Sequence, residues 1–161
     1  MKTFLLKSSL WLPIPRDRIF PFFADPKNLQ AITPPWLRFK VLGSSTPEIQ
    51  QGTLIDYRLR IRGIPWRWQS EISAWEPPYR FVDEQRRGPY RLWVHQHVFL
   101  EQDGGTQIED LVTYALWGGS LVNRLLVRRD LEKIFAYRVQ AITGIFKGAA
   151  LPTADHDPNL P

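Results

Sequence analysis

The stretch from Thr53 to Trp117 constrains the fold more than any other part of the chain. Short breaks divide it: Gly63-Ile64-Pro65, Pro77-Pro78, Gly88-Pro89 and Asp103-Gly104-Gly105. Between the breaks, large residues recur at every second position. One set is Ile55, Tyr57, Leu59 and Ile61, and the next is Trp66, Trp68, Ser70 and Ile72. Phe81, Asp83 and Gln85 follow, then Trp93, His95, His97 and Phe99, then Ile108, Asp110, Val112, Tyr114 and Leu116. A period of two places each set on one face of a strand. Connections this short cannot carry a parallel crossover, so consecutive strands must be antiparallel neighbours. Asp103-Gly104 is the strongest of the hairpin signals.

The flanks read differently. Phe4 to Leu12 alternates loosely as a first strand, which Pro13 and Pro15 end. Arg16 to Ala24 carries Ile19, Phe20, Phe22 and Phe23 at spacing suited to a short helix. A second short helix runs from Pro26 through Ile32, with Asp25 as its N-cap, until Thr33-Pro34-Pro35 stops it. Phe39 to Gly43 is a short strand. After Gly118-Gly119, Ser120 is placed to cap a long helix from Leu121 to about Lys147, with Val127, Leu131, Ile134, Phe135, Ile142 and Ile145 in one apolar stripe. Residues 1–150 read as one domain and residues 151–161 as a flexible, polar, Pro-rich tail. The class is α+β: a curved antiparallel sheet wrapped around a long C-terminal helix, with two short helices after the first strand.

Composition removes several function classes. The chain has no Cys, so thiol nucleophiles and thiolate-held metals are excluded, and a reducing, cytoplasmic location fits. No apolar run approaches the roughly 20 residues of a membrane span. Lys and Arg outnumber Asp and Glu by 21 to 16, a formal charge of +5 that permits an anionic partner. Nucleic acid is not expected, since no recognition motif appears and the aromatics face inward. Arg124, Arg128 and Arg129 form one local basic cluster on the long helix. It reads as a solvated face or as a transient contact with an anionic membrane surface.

The order of elements, together with particular stretches, resembles the helix-grip superfamily of START domains, birch-pollen-type allergens and polyketide cyclases (SRPBCC). The stretches are Thr33-Pro34-Pro35-Trp36, Phe81-Val82-Asp83-Glu84-Gln85, Gly88-Pro89-Tyr90, Trp93 to Phe99, Asp110 to Tyr114 and Phe135-Ala136-Tyr137-Arg138. Within it, small bacterial ligand-binding proteins are the nearest likeness. The resemblance implies a cavity between sheet and helix for a small hydrophobic or amphipathic ligand, such as a lipid, quinone or polyketide, and a few relatives of this fold are enzymes. It also implies a possible accessory role beside an oxidoreductase partner. No cofactor is implied.

Six polar groups fall on otherwise apolar faces: Asp83, Gln85, His95, His97, Asp110 and Arg138. A buried charge needs a counter-charge, so Arg138 is expected to pair with Asp83 or Asp110. The set reads either as a polar end that orients a ligand or as a network satisfied within itself. Expected apolar lining comes from Tyr57, Trp68, Trp93, Phe99, Val112, Tyr114, Leu131, Phe135 and Ile142. His95 and His97 with Asp83 or Asp110 are candidates for acid/base chemistry. Two His at i and i+2 with a carboxylate can also hold a metal. Hydrogen-bonded cavity His is the stronger reading of these residues, so no metal ligands are assigned.

Overall fold

The computed structural model describes residues 1–148, and the expected tail from 151 lies outside them. Seven strands form one antiparallel sheet: β1 (Phe4–Leu12), β2 (Lys40–Ser44), β3 (Leu54–Ile61), β4 (Ile64–Glu76), β5 (Arg80–Arg87), β6 (Leu92–Gln102) and β7 (Gly105–Ala115). Their spatial order is β1-β7-β6-β5-β4-β3-β2. The six consecutive strands β2 to β7 are therefore neighbours, as the short connections from β3 onward require. β1 alone closes back across the sheet onto β7.

Between β1 and β2 lie α1 (Arg16–Phe23) and two 3₁₀ segments, Pro26–Ile32 and Pro35–Leu37. Asp25 caps the first 3₁₀ segment by accepting from the Lys27 amide at 3.0 Å. The second expected helix is thus 3₁₀ rather than α, a tighter form suited to short pieces. The C-terminal helical run spans 29 residues. It comprises α2 (Gly119–Val122), a π turn (Asn123–Val127) and α3 (Arg128–Lys147). Ser120 lies inside its first turn rather than capping it. The N-cap is Gly118, whose φ of 86° and lack of side chain turn the chain into the helix without a capping bond. None of the described helices is long and apolar enough to cross a membrane.

Two turns sharpen the sequence reading. The β3–β4 connection is the two-residue pair Arg62-Gly63, with φ of 51° and 82°, not Gly63-Ile64-Pro65. Ile64 already pairs with Ile61, and Pro65 sits within the strand opposite Arg60. Positive φ at both loop positions matches the right-handed twist of the flanking strands. Asp103-Gly104 does the same between β6 and β7, with φ of 51° and 74°.

α3 presents Leu131, Phe135, Arg138, Ile142 and Phe146 as its buried stripe. The core divides into two clusters. One joins α1 and the first 3₁₀ segment to Phe81, Phe99, Ile142 and Phe146. The other joins Leu6, Val112, Tyr114 and Leu116 to Leu131 and Phe135 at the start of α3.

Candidate functional site

A cavity of about 790 Å³ lies between the concave face of β3–β6 and α3. Its sheet wall is built by the period-two sets: Ile55, Tyr57 and Leu59 from β3, and Trp68, Ser70 and Ile72 from β4. Irregular pairing between Ile72 and Ala74 then shifts the phase of β4, so Trp75 also faces inward opposite Phe81. The helix side supplies Val127, Leu131, Ile134, Phe135 and Arg138. Leu29, Ile32, Trp36 and Leu37 of the 3₁₀ segments cover the end. Trp36 is 55% exposed and meets Tyr137 edge-on, which places it at an opening. Arg62 at the β3–β4 tip forms a bidentate pair with Asp130, at 2.7 and 3.0 Å, across the mouth.

One wall is polar. In the sheet register His95 stands opposite Asp83 on β5, and His97 opposite Asp110 on β7. His97 Nε2 lies 2.8 Å from Asp83 Oδ2, and its Nδ1 lies 3.2 Å from Asp110 Oδ1. His95 Nε2 lies 2.8 Å from the same Asp110 oxygen, and its Nδ1 lies 3.7 Å from Asp83. The imidazoles thus lie with centroids 3.7 Å apart, tilted by 33°, between two carboxylates. Phe81 stacks on the far side of His97 at 4.1 Å, and Phe135 tilts against His95. Arg138 donates through Nε to Asp110 at 3.2 Å, which is the expected ion pair. From Asp83 the chain continues: Ser70 Oγ donates to it at 3.5 Å, while Tyr57 and Trp68 both bond Ser70.

Burial and charge pull against each other here. Burial alone would push Asp110 up, but Arg138 and the bonds from both His hold it well below the usual carboxylate range. Asp83 is lowered despite burial, by its bond to His97 and the nearby positive groups. Burial opposes a proton on either imidazole. At His97 the bonds to Asp110 and Asp83 outweigh it and raise the pKa. At His95 burial and the charge of His97 prevail and lower it. Of the two imidazoles, His97 is the one whose surroundings favour a proton. Burial, then the charge of Asp83, lift the Tyr57 phenol well above its ordinary value.

Of the expected ligand residues, Tyr57, Trp68, Asp83, Trp93, His95, His97, Leu131, Phe135 and Arg138 line the cavity. The others lie elsewhere. Gln85 is tied to the Tyr90 backbone, donating at 2.7 Å and accepting at 3.2 Å. Asp110 sits behind the His pair. Val112 and Tyr114 are covered where α3 approaches β7, and Tyr114 donates to Asn123 in the π turn. Phe99 and Ile142 fill the core beneath α1. Trp66 shares the β4 face of Trp68, but at the strand end it is partly exposed. Sequence reasoning overlooked Ser70 as the hub of the polar chain, although its place in the Trp68–Ile72 alternation was a signal. Nothing local marked Trp75, because irregular strand pairing reversed its side. In the basic helix cluster, Arg128 is paired with Glu132 at 2.9 Å. Asp83, His95 and His97 bring one donor atom each within 4.8 Å of one another, the donor set of a two-His, one-carboxylate metal site.

No protein-family model matches the chain, and neither does any curated protein. Solved structures do. The Zhui aromatase/cyclase from Streptomyces sp. R1128 superposes with a TM-score of 0.73 at 14% identity, over 95% of this chain and 99% of that one. Ara h 8.0201 gives 0.65 at 15% identity, over 91% and 99%. The major latex-like protein 151 of Panax ginseng gives 0.65 at 13%, over 93% and 99%. At these identities the shared property is the fold alone, and the chain has the helix-grip fold: a curved antiparallel sheet with a long C-terminal helix.

Proposed function

We propose that the protein binds a small amphipathic molecule in this cavity, as a carrier or sensor of a lipid-, quinone- or polyketide-like compound. One observation carries the reading: a cavity of about 790 Å³ lined mostly by aromatic and aliphatic side chains, with Ser70, Asp83, His95, His97 and Arg138 together on one wall and further polar residues, among them Asn28, Arg62, Asp130 and Lys133, elsewhere in the lining. Each 100 Å² of apolar ligand surface removed from water contributes about 2.5 kcal/mol. The polar face fixes which end of the ligand enters first. A cytoplasmic carrier without thiols fits this picture. A cavity of this size favours a ligand over the filled core that the accessory-module reading supposes.

The test is native mass spectrometry of freshly purified protein, followed by organic extraction. A stoichiometric apolar adduct supports the reading. A bare mass, with no binding across a panel of lipids, quinones and aromatic polyketides, overturns it.

A second reading is acid/base catalysis of the cyclase or dehydratase type. The observation that favours it is the position of His97, on the cavity wall and bonded between two carboxylates, with the Tyr57–Ser70–Asp83 chain leading to it. His97→Gln separates the two. A carrier retains its ligand, whereas an enzyme keeps binding and loses turnover by roughly 10²–10⁴-fold.

A further inference from the structure

The β3–β4 hairpin carries a charge arrangement that folding alone does not reward. Residues 57–68 include Arg58, Arg60, Arg62 and Arg67 and no acid. In the sheet register Lys40 of β2 lies opposite Arg58 of β3, and Arg58 lies opposite Arg67 of β4. Like charges directly opposite one another destabilise a sheet. All these side chains are exposed, and so is Arg38, which lines a groove with Arg58, Arg60 and Arg67. Arg62 pairs with Asp130, but among the described residues Arg38, Lys40, Arg58, Arg60 and Arg67 make no ion pair.

Apolar groups stand in the same hairpin. Ile64, the residue after the turn, is 59% exposed, and Trp66 is 38% exposed between Pro65 and Arg67. The turn residues Arg62 and Gly63 line the mouth of the cavity. In the register Ile64 faces with Ile61 and Trp66 with Leu59, on the opposite side of the hairpin from Arg58, Arg60 and Arg67, so a bilayer that meets the hairpin end-on touches both sets. Anionic headgroups meet the arginines, and the headgroup–acyl boundary takes the Ile and Trp. A nucleic acid would satisfy the arginines and leave Ile64 in water.

We propose that the β3–β4 hairpin is a docking surface for an anionic lipid bilayer, which brings the cavity mouth to the membrane. The long-helix cluster is a weaker candidate, because Arg128 is neutralised by Glu132. Docking uses no cavity ligand, so it is scored independently of the cargo found by mass spectrometry.

The test is flotation of the full chain with vesicles of phosphatidylcholine alone and of phosphatidylcholine with phosphatidylglycerol. Expected is binding to the anionic vesicles only, reversed by high salt. Arg58→Glu places an acid between Lys40 and Arg67. It should keep or raise the melting temperature while weakening vesicle binding about tenfold or more. Ile64→Ser should also weaken binding, and the double variant Arg124→Glu/Arg129→Glu should leave it within about twofold. Absence of anionic-vesicle binding overturns the proposal. So does loss of binding in the helix variant but not in Arg58→Glu. A third overturning result is tighter binding to DNA or RNA than to vesicles with no effect of Ile64→Ser.

Discussion

The long helix meets the same sheet in two ways. Over β7 and β1 it is in close contact: Val112 and Tyr114 are 0% and 1% exposed, and no room remains for a ligand. Over β3, β4 and β5 the sheet stands away and encloses the cavity. Both faces are written in the same alternation of aliphatic and aromatic residues. Apolar periodicity therefore states that a face turns inward, but not whether a helix or a void lies against it. The polar cluster sits at the boundary, with Asp110 under the helix and Asp83 on the cavity wall.

Truncation on the two sides should cost unequal amounts. Phe99→Ala, in the filled core beneath α1, removes a ring packed against Phe20 and Phe23 and should destabilise by about 3–5 kcal/mol in urea denaturation. An effect below about 2 kcal/mol would mean that this core is also loosely filled.

The boundary responds to acid. The Asp110 carboxyl titrates lower in the folded than in the unfolded chain. Its stabilisation is thus fully present above the unfolded value near 3.9 and is lost as pH falls through the folded one. Asp110→Asn should cost about 1.5–3 kcal/mol at pH 6. The gap to the native chain should close in melts taken at progressively lower pH below about 4. A gap independent of pH would remove the ion pair from the account.

On the cavity side, Leu59→Ala enlarges space that already exists rather than opening a new void. It should cost about 1–2 kcal/mol, less than Phe99→Ala, and should admit a bulkier ligand. The smallest stability effect belongs to Trp36→Ala at the opening, within about 0.5 kcal/mol. Its signature should be faster ligand release in stopped-flow displacement. Unchanged release would place the opening elsewhere, with the Arg62–Asp130 pair as the next site to test.

Several features could be read from local chemistry. Short turns made the strands antiparallel neighbours, and period two turned His95, His97, Asp83 and Asp110 to one side. The spacing of Leu131, Phe135, Arg138 and Ile142 drew the helix stripe. Other features had no local signal. The pairing irregularity after Ile72 brought Trp75 inward, because a strand's phase beyond such a point depends on how its partner pairs. Gln85 shared the phase of Asp83, yet the fold of the β5–β6 turn gave it the Tyr90 backbone as partner. The basic hairpin escaped notice because Lys40, Arg58 and Arg67 are scattered along the chain and meet only across strands.

The sequence by itself determined the antiparallel meander, the terminal helix, and the inward set of each strand up to the pairing irregularity in β4. Those follow from connection length and from periodicity, which are local properties of the chain. Only the tertiary structure decided which inward residues face a cavity and which face each other. That depends on the curvature of seven strands acting together and on the line along which the helix crosses them.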